Sequence, residues 1–256
     1  MRKILLAVLV CGAAAGQSLV EPPPIVQLVR KPGTGGASIR AYANAGAAVN
    51  AIGMRSVTGL PETWILEAHT SFASVEELDR KLAALSPATV SNNPADPLND
   101  DVLAPARVML AVYRPEWSYR ADQAIRALAR ARYVQVSVFR IRPGTENLFT
   151  EVARLRRATA DGVNLDRPEL GYQVMSGAPA GTLVFLAPLA SLRAMDEGVA
   201  PLPVYAEGLN AAREKERAKL AETELGREHL LFRVEPAISY VSDDFASADV
   251  NFWRKQ

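Results

Sequence analysis

Apolar positions in this chain fall into short runs punctuated by Gly, Pro, Ser and Asn, and the runs come in one order twice. Ile25-Val26-Gln27-Leu28-Val29-Arg30-Lys31 reads as a strand that stops at Pro32-Gly33-Thr34. Ile39, Tyr42, Ala43, Gly46, Val49 and Ile52 then recur at three and four, which predicts a helix from a Ser38 cap to about Gly53. A short strand over Met54–Thr58, the turn Gly59-Leu60-Pro61 and a strand over Thr63–Ala68 follow. Ser74 opens a helix over Val75–Leu85, with Leu78, Leu82 and Leu85 as its apolar stripe, and Arg107–Tyr113 closes the set as a strand. The second set is a strand at Tyr133–Arg142, a helix from Glu146 to about Thr159, strands at Leu170–Ser176 and Thr182–Ala187, a helix at Ser191–Asp196 and a strand at His229–Glu235.

Short echoes tie the sets together. Pro32-Gly33-Thr34 matches Pro143-Gly144-Thr145 at a spacing of 111; Gly59-Leu60-Pro61 matches Gly177-Ala178-Pro179. Ala73–Asp79 matches Ala190–Asp196, and Pro115-Glu116-Trp117-Ser118-Tyr119 matches Pro236-Ala237-Ile238-Ser239-Tyr240. Collinear echoes mark one unit used twice. Each unit has the order β-α-β-β-α-β of the ferredoxin-like split βαβ motif. The expected organisation is a first module over 24–114 with a proline-rich loop at 86–105, a linker over 115–132, a second module over 133–236 with a helical insertion at 203–225 ended by Gly226, and a tail over 237–256 docked through Phe252 and Trp253. In Tyr133–Arg142 one face carries Val134, Val136 and Val138 and the other Tyr133, Phe139 and Ile141, so both faces need cover. A sheet with helices on one side only leaves the other face wet; the two modules therefore pack sheet to sheet, giving an α+β fold.

Composition narrows the partners. The amino terminus has a basic start at Arg2-Lys3, an apolar Ile4–Val10 and small residues at Ala13-Ala14-Ala15, which reads as a signal peptide over 1–18 and predicts a periplasmic or secreted protein. The apolar run is short of the roughly 20 residues a membrane span needs. Cys11, the only cysteine, lies in that leader, so the mature chain has no disulfide and no thiolate chemistry. Without Arg2 and Lys3, 27 basic residues face 28 acidic ones; that balance predicts no nucleic-acid partner.

The strand ending in Arg142-Pro143-Gly144, the acidic amphipathic helix with Glu146, Phe149, Glu151, Val152 and Leu155, and Gly171-Tyr172-Gln173-Val174 before a further strand and a Ser-initiated helix resemble the dimeric α/β-barrel superfamily. That group includes the antibiotic-biosynthesis-monooxygenase-like and stress-responsive barrel proteins. The resemblance covers about Ile25 to Tyr240 and implies two ferredoxin-like units joined as a pseudo-dimeric α/β barrel within one chain. The family spans cofactor-free oxygenases, isomerases, haem proteins and members without activity, so the fold leaves function open.

Candidate chemistry is sparse. His69 and His229 are the only histidines and fall in different modules, which excludes a histidine metal cluster. His69 serves as a general base, as an axial haem ligand if the resemblance is followed, or as a strand-end histidine bonded to its surroundings. Ser71 lacks a nucleophile elbow and reads as a cap; Gly33, Gly35 and Gly36 lack a phosphate-loop ending and read as turn residues. The oxygen-bearing groups Asp96, Asn99, Asp100, Asp101 and Asp243, Asp244, Asp249 lack the calcium-loop pattern and read as solvated turn and cap residues. The paired Ser-Tyr motifs predict a shared structural role, with the Tyr packed and its hydroxyl on backbone. A ligand site, if present, lies between sheet and helices or inside the barrel, and Trp64, His69, Gln135, Ser137, Arg140 and Tyr172 are the strand residues expected to line it. No metal or cofactor is expected. The leading expectation is a non-catalytic module that binds a small apolar molecule or a partner surface; the alternative is a cofactor-independent oxygenase or isomerase acting on an aromatic or polyketide-like substrate.

Overall fold

A computed structural model describes residues 21–33, 39–85, 107–199 and 207–254. The leader, the Ser38 cap, the proline-rich 86–105 and the start of the 203–225 insertion lie outside the described residues. In chain order the elements are β1 (Ile25–Pro32), α1 (Ile39–Asn44), β2 (Asn50–Ser56), β3 (Glu62–His69), α2 (Phe72–Ala83), β4 (Arg107–Tyr113), α3 (Ala121–Leu128), β5 (Tyr133–Ile141), α4 (Glu146–Gly162), β6 (Leu170–Ser176), β7 (Thr182–Leu189), α5 (Arg193–Val199), α6 (Glu207–Thr223), β8 (Glu224–Val234), α7 (Asp243–Ser247) and α8 (Val250–Trp253).

The eight strands close into one antiparallel barrel in the order β1-β3-β2-β8-β5-β7-β6-β4. Reading from β4, the first half contributes β4-β1-β3-β2 and the second β8-β5-β7-β6, so the order within each half is the same. The halves join edge to edge, β2 on β8 through Met54–Ser56 and β4 on β6 through Leu110–Tyr113. Closure removes the exposed edges that open sheets must protect.

Alternation along the strands sends one set of side chains inward. Val26, Leu28, Ile52, Met54, Trp64, Leu66, Val134, Val136, Leu170, Tyr172, Val184, Leu186, Phe232 and Val234 form one continuous core in the barrel. Ala124, Ile125 and Leu128 of α3, with Phe245 and Trp253 of the tail, pack into the same core. Trp253 donates its indole N–H to the Ala129 carbonyl at 2.8 Å, which docks the terminus. The outward faces are covered by helices. Tyr42, Ala51, Ile65 and Leu78 make the outer core of the first half. Trp117, Phe139, Phe149, Phe185 and Leu220 make that of the second.

Several boundaries differ from the sequence reading. The helix expected to reach Gly53 stops at Asn44, because Gly46 adopts a left-handed φ of 54° and the period then changes to two, with Ala51 outward and Ile52 and Met54 inward. Ser71, not Ser74, caps α2; Ser74 sits at the third helical position and completes a reciprocal capping box. Gly226 does not end the insertion helix. α6 passes into β8 at Glu224 with Thr223 buried, and Gly226 pairs with Arg140 inside the strand.

The repeated Ser-Tyr motifs form two crossed clasps. Pro115–Trp117, a 3-10 turn after β4 of the first half, lies on β6 of the second; Pro236–Ile238, after β8, lies on β2 of the first. The Gly171 amide donates to Ser118 Oγ at 2.9 Å, and the Gly53 amide donates to Ser239 Oγ at 2.9 Å. The backbones then pair as Tyr119 with Glu169 and Tyr240 with Ala51. Only glycine admits the second approach, since a Cβ on Gly53 would stand 2.1 Å from the Ile238 carbonyl oxygen. The expected link from Tyr hydroxyl to backbone is thus carried by the serines. The Tyr119 hydroxyl goes mainly to Asp161 Oδ1 at 2.7 Å, and Tyr240 stacks on Tyr42 at 6.3 Å.

Candidate functional site: an arginine-lined cleft outside the barrel

Gln135 and Ser137 sit on the outward face of β5, because Val134 and Val136 take the inward one. Register brings Ala187 of β7 opposite Gln135 and His229 of β8 opposite Ser137. The small Ala187 leaves room where neighbouring outward positions hold Phe139 and Phe185. Above this floor lie α4 with Arg156 and Arg157, α6 with Arg213 and Glu216, the 163–169 segment with Arg167 and Glu169, and the clasp residues Trp117 and Tyr119. Together they enclose a cleft of about 290 Å³. It shares Arg213 and Glu216 with a larger groove of about 740 Å³ between α6 and β8 lined also by Arg217 and Arg227.

The electrostatics are uneven. Arg156 lies over the rings of Phe139 and Phe185 at 5.8 and 5.7 Å and is paired with Glu169 at 3.5 Å and Glu216 at 3.6 Å. Arg157 donates to the Ser118 carbonyl at 3.4 Å, and Arg167 to the Gln135 side-chain oxygen. Among the described residues no carboxylate lies in ion-pair range of Arg157, Arg167 or Arg213. Burial raises the Glu216 carboxyl above its usual range against the pull of Arg156 and Arg213. Burial also lowers His229, helped by the positive charges of Arg227 and Arg156. The His229 ring contacts Ser137 Oγ through Nδ1 at 2.8 Å and meets the Phe139 ring edge-on, so Nε2 is the nitrogen left for a molecule in the cleft. Burial and the bond to Asp161 push the Tyr119 hydroxyl up to about 12, which keeps it a donor.

Of the residues expected from sequence, only Gln135 and Ser137 meet here. Trp64 and Tyr172 point into the filled barrel. Trp64 packs on Phe232 at 4.9 Å and donates to Glu62; Tyr172 packs on Tyr113 at 5.6 Å and donates to the Pro23 carbonyl. Arg140 is exposed, on the barrel-facing side of β5 rather than the cleft side. His69 is fully buried in the other half, with Nδ1 3.2 Å from Ser74 Oγ and Nε2 3.5 Å from Glu67 Oε2, while the Tyr42 hydroxyl donates to Glu67 Oε1. Burial, then the Glu67 carboxyl, raise the Tyr42 hydroxyl far above its ordinary value. Sequence reasoning missed His229 and the four arginines; the alternating polar Gln135 and Ser137 among the valines of β5 were the one signal.

The residues present do not suit a haem. Both nitrogens of His69 are engaged under α2. His229 opens onto a space at the bottom of the roughly 300–1,000 Å³ range of small-molecule pockets, lined by arginines where a porphyrin needs a flat apolar slot. Among the described residues no cluster of three or more His, Cys, Asp or Glu side chains is placed to hold a metal ion. No described helix is long and apolar enough to cross a membrane.

No protein-family model matches the chain, and no characterised protein matches it by sequence. Among solved structures it is similar to a candidate monooxygenase from Lactobacillus acidophilus NCFM, at 9% identity over 82% of this chain and 94% of the other, with a TM-score of 0.48. An anthrone oxidase-like protein aligns at 12% identity over 82% and 91%, TM-score 0.49. A mutant chlorite dismutase from Candidatus Nitrospira defluvii aligns at 9% identity over 93% and 99%, TM-score 0.48. Likeness at this level carries no chemistry from those proteins to this one.

Proposed function

We propose that the chain is a tandem of two ferredoxin-like modules fused into a pseudo-dimeric α/β barrel, exported by its leader, which binds a small molecule in the cleft outside its second half. The observation that carries the binding reading is the open space over Ala187, where Gln135, Ser137 and His229 converge with Arg157, Arg167 and Arg213, none of which has a carboxylate in ion-pair range among the described residues. A small-molecule panel read by thermal shift tests it. Compounds should stabilise the wild type and lose that effect in Ala187→Leu, which fills the floor; a panel that affects both proteins alike would overturn the reading.

Support for the tandem is the matching strand order of the halves and the reciprocal clasps. An experimental structure in which 25–113 and 133–234 have different strand orders removes it. Export rests on the Arg2-Lys3, Ile4–Val10 and Ala13-Ala14-Ala15 pattern. Mass spectrometry of the native protein should find a start between Gly16 and Val20; a soluble protein retaining Met1 refutes it.

A second reading, a cofactor-independent oxygenase or isomerase, has one observation in its favour: His229 is held toward its neutral form beside Ser137 at the cleft, as a general base requires. Oxygen uptake or isomerised product with a stabilising compound, lost in His229→Gln, would establish it; stabilisation without turnover leaves binding alone.

A further inference from the structure

We infer that the molecule this cleft takes is a small organic anion, a carboxylate or phosphate monoester on a short, largely apolar body. The inference deepens the binding reading and rests on it. Its first support is the charge of the walls. Arg156 is paired with Glu169 and Glu216, whereas Arg157 and Arg167 donate only to the neutral oxygens of Ser118 and Gln135, and Arg213, though it acts on Glu216 through space, makes no ion pair within 4 Å among the described residues. Three guanidinium groups on α4, α6 and the 163–169 segment thus surround one space, and their planar forks match carboxylate and phosphate oxygens.

The second support comes from the other half. The clasp glycines align the two halves, since Gly53 pairs with Ile65 on β3 and Gly171 with Phe185 on β7. Two residues further along, β3 presents Glu67 opposite Gln27, and β7 presents Ala187 opposite Gln135. The glutamine is kept and the carboxyl group is missing. In the first half Glu67 fills this place, fully buried, and takes the Tyr42 hydroxyl and a His69 contact. In the second the same place is empty space facing cations. A ligand's anionic group would stand where the first half supplies its own side chain. The apolar walls, Trp117, Ala153, Val163 and Leu165, suit a short apolar body behind it.

The probes are benzoate, phenyl phosphate and neutral benzamide, with binding measured calorimetrically on wild type, Arg157→Gln, Arg167→Gln and Arg167→Lys. At least one anion should bind tenfold or more tightly than benzamide, weaken at least tenfold in both glutamine variants, and regain part of the loss in Arg167→Lys, whose retained charge also controls for misfolding. Benzoate alone answering assigns a carboxylate; phenyl phosphate alone assigns a phosphoryl group. Benzamide binding as tightly as the anions, or anion binding unchanged in both glutamine variants, overturns the inference. If neutral compounds bind in a manner blocked by Ala187→Leu while the anions do not, the anion inference falls and the cleft reading stands; if nothing binds, both fall.

Discussion

The two halves of the barrel solve one packing problem in opposite ways. Each must cover the outward face beside its first strand, and each has a glutamine there, Gln27 or Gln135. The first half closes the space from within, joining Glu67, Tyr42, His69 and Ser74 in a buried chain of polar contacts. The second has Ala187 and leaves the space open beneath α4 and α6. The two halves thus put matched register positions to different uses. The first half pairs its polar groups with one another, while the second leaves them lining an open cleft.

The largest break in that comparison is Glu67→Ala. It leaves Tyr42 and His69 without their buried partner and opens a cavity, so the loss should be about 3–4 kcal/mol in urea unfolding. A loss under 1 kcal/mol would mean the cluster contributes little. Gly53→Ala comes next. Its Cβ would meet Ile238 backbone at 2.1 Å, while a Cβ on Gly171 meets Trp117 Cβ at 3.0 Å. The first substitution should cost about 2–3 kcal/mol and the second about 1 kcal/mol; equal costs would show that the two clasps are equally tight.

Ala187→Glu gives the second half the carboxyl of the first. With Arg157 and Arg167 nearby it should raise stability by up to about 1 kcal/mol and abolish benzoate binding by calorimetry. Retained binding would place the anion elsewhere.

Smallest is the pH dependence of the cleft. The folded pKa of His229 lies below its ordinary 6.5, so the unfolded chain binds the extra proton first, and stability falls as pH drops from 6.5 toward the folded value. Glu216 has the opposite sign. Its folded pKa lies above 4.5, so stability falls as pH rises from 4.5 through the folded value. His229→Gln should flatten the first slope and Glu216→Gln the second in unfolding midpoints taken between pH 4 and 7; unchanged slopes would assign them to groups elsewhere.

The order of strands and helices was legible because period and turn residues are local signals. The spacing of the sequence echoes agreed with the register only in part. Matching Pro32 to Pro143 equates Leu28 with Phe139, yet Leu28 points into the barrel and Phe139 out of it. An odd slip exchanges the faces of a strand, and the register instead equates Val29 with Ser137. The site was less legible still. Both faces of each strand are covered, so alternation did not separate Gln135 and Ser137 from Trp64 and Tyr172, and the cleft's arginines arrive from α4, α6 and a connecting segment with nothing in their spacing to link them. The sequence reading starts the closing strand at His229, whereas β8 begins at Glu224 and carries His229 opposite Ser137.

The crossed clasps bear on how the molecule comes into being. A chain is made from its amino end, and Gly53 waits for Ser239, 186 residues later in synthesis. Until β8 arrives, β2 is an unpaired edge of the kind that joins other chains into aggregates. The nascent first half therefore keeps that edge open until β8 has been made, which makes the synthesis of β8 and its clasp the step that commits the whole barrel.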